Sequence, residues 1–130
     1  MKYSILIYGP EGLADRMPDE DQEHLLDLHR SLQAELAKRG AFAVARLMPS
    51  GNAVTLKPAT TPGGKPVLVD GPYPDTKERF LGFYVADFSS IEEAAMFARQ
   101  ISAAHMTLEI RPIEWGGGVF ANDHPESVEI

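Results

Sequence analysis

The amino-acid sequence predicts an α+β fold of the ferredoxin-like, dimeric α/β-barrel type, with a β-hairpin inserted between its two halves. Two observations predict it. Segments of strand and helix period follow one another as β-α-β, a hairpin, then β-α-β, and two split βαβ halves of this kind make an open sheet with both helices on one face. Phe80–Phe88 (FLGFYVADF) is apolar on both faces of a strand, so the face without helices also needs a cover. The simplest cover is a second copy of the chain in a two-fold dimer.

Each element has its own signal. Tyr3–Tyr8 (YSILIY) is apolar almost throughout, as a central strand should be. Gly9-Pro10-Glu11-Gly12 ends it, and a loop is expected as far as Pro18. Asp19, Glu20, Asp21 and Glu23 then crowd a helix start, where negative charge suits the macrodipole. Leu25, Leu28, Leu32 and Leu36 follow helical spacing, and Gly40 is placed to close the helix in the left-handed conformation. Phe42–Met48 reads as a strand stopped by Pro49-Ser50-Gly51-Asn52. Ala53–Lys57 and Pro66–Asp70 read as a hairpin joined by the Pro/Gly/Thr-rich loop Pro58–Lys65.

The second half is equally legible. Phe80–Phe88 is the central strand, with Gly82 allowing a close approach to its backbone. Ser90 and Glu93 have capping-box spacing, and Ile91, Ala94, Ala95, Ala98 and Ile101 form the expected inner face of a helix. Thr107–Ile113 closes the core, with Leu108 and Ile110 on one face, Glu109 and Arg111 on the other, and Pro112 suited to an edge. Trp115 and Phe120 bracket a glycine run, Gly116–Gly118, that reads as a hinge. Beyond it, Ala121–Ile130 is polar and acidic, so residues 1–115 are expected to form the domain and 116–130 a flexible tail.

Composition narrows the function classes. The chain has 130 residues, 44% apolar and 24% charged, with net charge −7 and no cysteine. One domain is expected. The acidic balance argues against binding a phosphate backbone or an anionic membrane surface. Zero cysteines exclude disulfides, thiol catalysis and cysteine zinc sites. No apolar run approaches a membrane span and no signal-peptide layout is visible, so a cytoplasmic protein is expected.

The segment Asp70-Gly71-Pro72-Tyr73, followed by Asp75-Thr76-Lys77-Glu78 and then Gly82-Phe83-Tyr84, resembles the signature of the YCII-related family in its DGPF branch. Tyr73 stands where the branch usually has Phe, and Asp75 where it usually has Glu. The resemblance covers about residues 1–115 and implies the ferredoxin-like fold and the dimer. Most of the family has no established activity.

Several residues are candidates for chemistry. Of His24, His29, His105 and His124, His29 falls nearest the centre of the leucine arc. It also resembles the YCII histidine eleven residues before the glycine that closes the first helix, which in that family is a candidate catalytic group paired with an aspartate. YCII proteins outside this branch place the aspartate after the second helix, where Ser102–Met106 has none, so Asp70 is the positional substitute. A carboxylate beside His29 would orient the imidazole and keep it basic. The plainer readings are a core-edge histidine bonded to backbone and an aspartate that caps its own turn. Lys77, Glu78 and Arg79 read as the polar rim of a small pocket, with Lys77 available to an anionic ligand, or as a solvated loop with ion pairs, and Tyr73 is a further substrate-binding candidate. Arg111 matches the family's end-strand V-R-P and is either a site residue or a surface ion-pair partner. No metal site is expected, because His24 and His29 are off the helical spacing that brings two ligands together, and no cofactor-binding loop is visible.

Two functions from different classes follow. One is a small enzyme, or former enzyme, with His29 as general base; the family implies proton abstraction with elimination or isomerisation on small aromatic or lactone compounds. The other is a non-catalytic binding or regulatory module, since the DGPF branch is similar to domains found beside alternative sigma factors. A pocket holding both His29 and Asp70 would favour the first; a filled interior would favour the second.

Overall fold

A computed structural model of the chain describes residues 1–74 and 76–123. The acidic segment 124–130, which includes His124, lies outside the described residues. The elements are β1 (Lys2–Gly9), α1 (Leu13–Arg16), α2 (Asp19–Arg39), β2 (Ala43–Arg46), β3 (Val54–Lys57), β4 (Val67–Asp70), β5 (Arg79–Asp87), α3 (Ile91–Ala98) and β6 (Thr107–Pro112). The fold is α+β. A four-stranded antiparallel sheet runs in the order β2-β5-β1-β6, and β3 pairs with β4 in a separate two-stranded sheet. The order of the larger sheet is compatible with the expected ferredoxin-like arrangement.

Side-chain alternation divides the sheet into two faces. Ile5 pairs with Tyr84 on one side and Ile110 on the other, and these three look towards the helices. There Tyr84, Ala86, Phe88 and Ile5 pack with Leu32 and Leu36 of α2, Ala94 and Ala98 of α3, and Ile101 just beyond it. One cluster drawing on both helices and the sheet means that both helices cover the same face. Each fully buried Leu or Ile contributes roughly 1.5–3 kcal/mol, an upper estimate because unfolded chains already bury part of their surface. The opposite face carries Leu6, Phe83 and Val85, all half-buried.

Local chemistry explains most element ends. Ser90 Oγ accepts the Glu93 backbone N–H at 3.1 Å, while the Glu93 carboxylate reaches back to the backbone N–H of Ser89 instead of Ser90. The capping box is therefore displaced by one residue on its return arm. The short helix α1 interrupts the expected loop before Pro18. Gly40 closes α2 at φ 129° and ψ −155°, a region open to glycine but not the left-handed helical cap expected. Ile91, expected on the inner face, is exposed, and Ile101 lies in a 3₁₀ turn beyond α3. Gly82 has a clear steric role. A Cβ there would stand 2.4 Å from the Ala45 carbonyl oxygen, so the close approach belongs to β2.

Candidate functional site

His29 lies on α2 directly over β5. Its Nδ1 shares a 2.7 Å hydrogen bond with the Tyr84 hydroxyl, and the two rings are nearly parallel with centroids 5.7 Å apart. Gln33, one helical turn after His29, donates its amide N–H to the same hydroxyl at 3.2 Å. Tyr84 is 1% exposed and belongs to the inward-facing set of β5. A fully buried phenol needs partners, and α2 supplies two of them at i and i+4 spacing.

Burial lowers the His29 pKa from its ordinary value and raises that of Tyr84. Both groups are therefore neutral at neutral pH. The Tyr84 hydroxyl has one proton and two lone pairs. It accepts from Gln33 and then either donates to Nδ1 or accepts an Nδ1–H. The first arrangement leaves a hydrogen on Nε2; the second leaves Nε2 with a lone pair, which is the form a general base needs.

A second polar cluster ties loops together at the end of the sheet where β1 stops. The Glu11 carboxylate accepts from the Ser50 side chain and backbone N–H, which lowers the Glu11 pKa, and the Arg79 charge acts in the same direction. Arg79 Nη1 also donates to the Pro74 carbonyl at 2.8 Å, which anchors the loop before β5. No cluster of three metal-ligating side chains occurs among the described residues, and no helix there is long and apolar enough to cross a membrane.

The model of the YCII-related domain matches residues 1–115. The chain belongs to the YCII-related family. It is also 34% identical over 117 residues to an uncharacterised protein of Rhizobium meliloti (strain 1021), covering 87% of this chain and 92% of that protein.

In this YCII-related chain the residues expected to form one site are spread over several elements. Asp70 ends β4, exposed, in register with Val54, and no side-chain hydrogen bond joins it to His29 among the described residues. Nor does Asp70 cap its turn in the described contacts. The Gly71 N–H donates to the Ala53 carbonyl at 2.8 Å, and the Gly71 carbonyl accepts from the Thr55 hydroxyl at 2.7 Å. Tyr73 is 79% exposed, and Lys77 and Glu78 are exposed in the following loop. There the Thr76 hydroxyl donates to the Glu78 carbonyl at 2.7 Å. Arg111 pairs with Ser4, which places it on the sheet face opposite His29.

The structure thus brings together His29, Gln33 and Tyr84, of which sequence reasoning named only His29. Two signals pointed to the others. Gln33 lies four residues after His29, and Tyr84 shares the parity of the buried positions Ala86 and Phe88.

Proposed function

We propose that this YCII-related protein is a small enzyme that uses His29 as a general base on a small organic substrate. The observation that supports it is the half-buried, neutral imidazole held at Nδ1 by Tyr84, since a neutral and oriented imidazole is the proton-accepting form. In this reading Nδ1–H is donated to Tyr84 and the Nε2 lone pair removes a proton from carbon next to a carbonyl. The electron pair moves into the carbonyl as an enolate; return of the proton to the same carbon gives exchange, and in a substrate with a conjugating C=C bond its return at the γ-carbon of the dienolate gives isomerisation. Gln33 and Tyr84 are positioning residues. Asp70 is proposed as a second group that reaches His29 through one water, and Tyr73, Lys77 and Glu78 as the rim that meets a polar or anionic substrate. Arg111 is proposed for the opposite face.

Solvent-deuterium incorporation tests the reading. Small lactones and aryl ketones in D2O should exchange their α-hydrogens faster with the protein than with His29→Gln. Equal rates across the panel would overturn it.

The same proposal extends to assembly. The helix-free face, with Leu6, Phe83 and Val85 at its centre, supports a homodimer of the dimeric α/β-barrel kind. The β3–β4 pair is read as the inserted hairpin, and the Asp70–Glu78 segment supports membership of the DGPF branch. The acidic, cysteine-free composition supports a cytoplasmic protein without a nucleic-acid partner. The binding-module reading is favoured by a different observation. Val54, Leu56 and Leu68 share one face of the β3–β4 ribbon and are all more than half exposed, as a protein-contact surface would be. A regulatory role beside an alternative sigma factor would use that ribbon.

A further inference from the structure

The layer over the edge strand β6 is incomplete. α2 runs for 21 residues, but α3 has only 8 before the chain tightens into the 3₁₀ turn Arg99–Ile101. Leu108 and Ile110 turn inward from β6 yet stay only half-buried. A hollow of about 240 Å³ is left between α3 and β6, and neither His29 nor Asp70 lines it. Ala95, Met106, Leu108 and Ile110 supply apolar walls, while Arg99 and Ser102 bring a guanidinium and a hydroxyl. Arg99 makes no ion pair among the described residues, in a chain whose net charge is −7.

The turn that feeds Met106 into this wall is strained. His105 has φ 66°, and the Met106 N–H donates to the Ala103 carbonyl at 3.2 Å. A non-glycine residue held in the left-handed region costs free energy, and such strain gathers at ligand sites.

We propose that the hollow between α3 and β6 binds a small carboxylic acid with an apolar body, its carboxylate held by Arg99 and Ser102 and its body laid against Met106, Leu108 and Ile110. The hollow is open to solvent on one side, and its volume, just below the usual range for ligand pockets, suits an occupant of roughly ten non-hydrogen atoms. A guanidinium favours a carboxylate through paired, charge-assisted hydrogen bonds. Phosphate suits the site poorly, since one arginine and one hydroxyl face five apolar side chains. Arg99 also lies where a cation complements the C-terminal dipole of α3, a purely structural role that the test must separate.

Benzoate is the probe, followed by ¹H–¹⁵N NMR of the full chain. Benzoate should shift the amides of Arg99, Ser102, Met106, Leu108 and Ile110, with a Kd on the order of 1 mM or tighter. Benzamide, equal in shape but neutral, should bind about tenfold more weakly or worse, because it forfeits the charge-assisted contacts. Arg99→Gln should weaken benzoate about tenfold and leave benzamide unchanged, and Ala95→Leu should block both by filling the hollow. Since Arg99 is exposed, Arg99→Gln is expected to fold, and the comparison of benzoate with benzamide stands even if Ala95→Leu does not. No shift at about 10 mM benzoate, shifts elsewhere, or equal affinity in Arg99→Gln would overturn the proposal. Loss of His29-dependent deuterium exchange would leave it untouched, because the two sites share no residue.

Discussion

His29 on α2 and Tyr84 on β5 are joined by a 2.7 Å hydrogen bond between Nδ1 and the phenol oxygen, across 55 positions of sequence. That contact occupies the ring nitrogen that an orienting carboxylate would otherwise hold. Tyr84 stands in the orienting place, and it brings no negative charge. Burial lowers the histidine pKa, so the imidazole is a weaker base than one bonded directly to an aspartate and is mostly unprotonated at neutral pH.

The lowered His29 pKa sets a pH window for stability. The unfolded chain takes a proton near 6.5, whereas the folded chain takes it only at lower pH. Stability from this group is therefore greatest above 6.5, falls as pH drops below that value, and levels off below the folded pKa. Urea titrations at about pH 7.5 and about pH 5.5 should show a drop for wild type that is smaller in His29→Gln. Equal drops would mean that the imidazole is not held neutral by the fold.

Removing the phenol oxygen should loosen the ring. Tyr84→Phe leaves the packing of β5 nearly unchanged but takes one hydrogen-bond partner from His29 and one from Gln33. A cost of roughly 1–2 kcal/mol is expected, since two partly buried polar groups lose their mate. NMR should also show the His29 ring exchanging between tautomers with less preference than in wild type. A variant as stable as wild type, with an unchanged tautomer, would remove Tyr84 from the positioning role.

Lys2 presents a separate case. Its side chain is 8% exposed and its ammonium meets Asp87, whose side chain is 49% exposed and which also pairs with the Met1 amino group at 3.3 Å. Asp87→Asn would leave a buried cation without its anion, a change that costs several kcal/mol in a dry interior. Solvent at the aspartate reduces this to about 1–2 kcal/mol. The Lys2 hydrogen bond lowers the Asp87 pKa, so its contribution is present above the ordinary value of 3.8 and is lost as pH falls through the folded value. Thermal unfolding at neutral pH and in acid checks both parts: the variant should be less stable at neutral pH, and the difference should shrink in acid.

Gly82→Ala should be among the most damaging single-methyl changes in the sheet. The added Cβ would overlap the Ala45 carbonyl, so β2 must move away from β5 or the strand must twist. A loss of about 2 kcal/mol or more, seen as a fall of several degrees in Tm, is expected. Hydrogen exchange should show the loss concentrated in Ala43–Arg46, the strand that pairs with Gly82.

The proposed dimer is checked by light scattering at micromolar concentration. Phe83→Lys would put a charge at the centre of the helix-free face and should yield monomers with an intact far-UV spectrum. A wild-type monomer would end the proposal. An interface of the obligate kind should bury roughly 2,000 Å² or more.

Much of this molecule was decided along the chain. The leucine period of α2, the Ser90 cap, the central place of β5 and the parity of Leu108 and Ile110 against Arg111 are local properties, and local spacing was enough to read them. The close approach at Gly82 was also legible, but its identity was not. That the neighbour is the Ala45 carbonyl depends on the register of β2 against β5, which is set by pairing partners far apart in sequence. The same reason governs how the expected site residues are distributed over the fold. His29 and Asp70 were joined by a family pattern and by the order of elements, yet Asp70 belongs to the β3–β4 sheet and Arg111 to the far face of the main one. Helix period told which way His29 points. Only the crossing of α2 over β5 decided that Tyr84 would be there to meet it, because a hydrogen bond requires positions in space and a period specifies only directions.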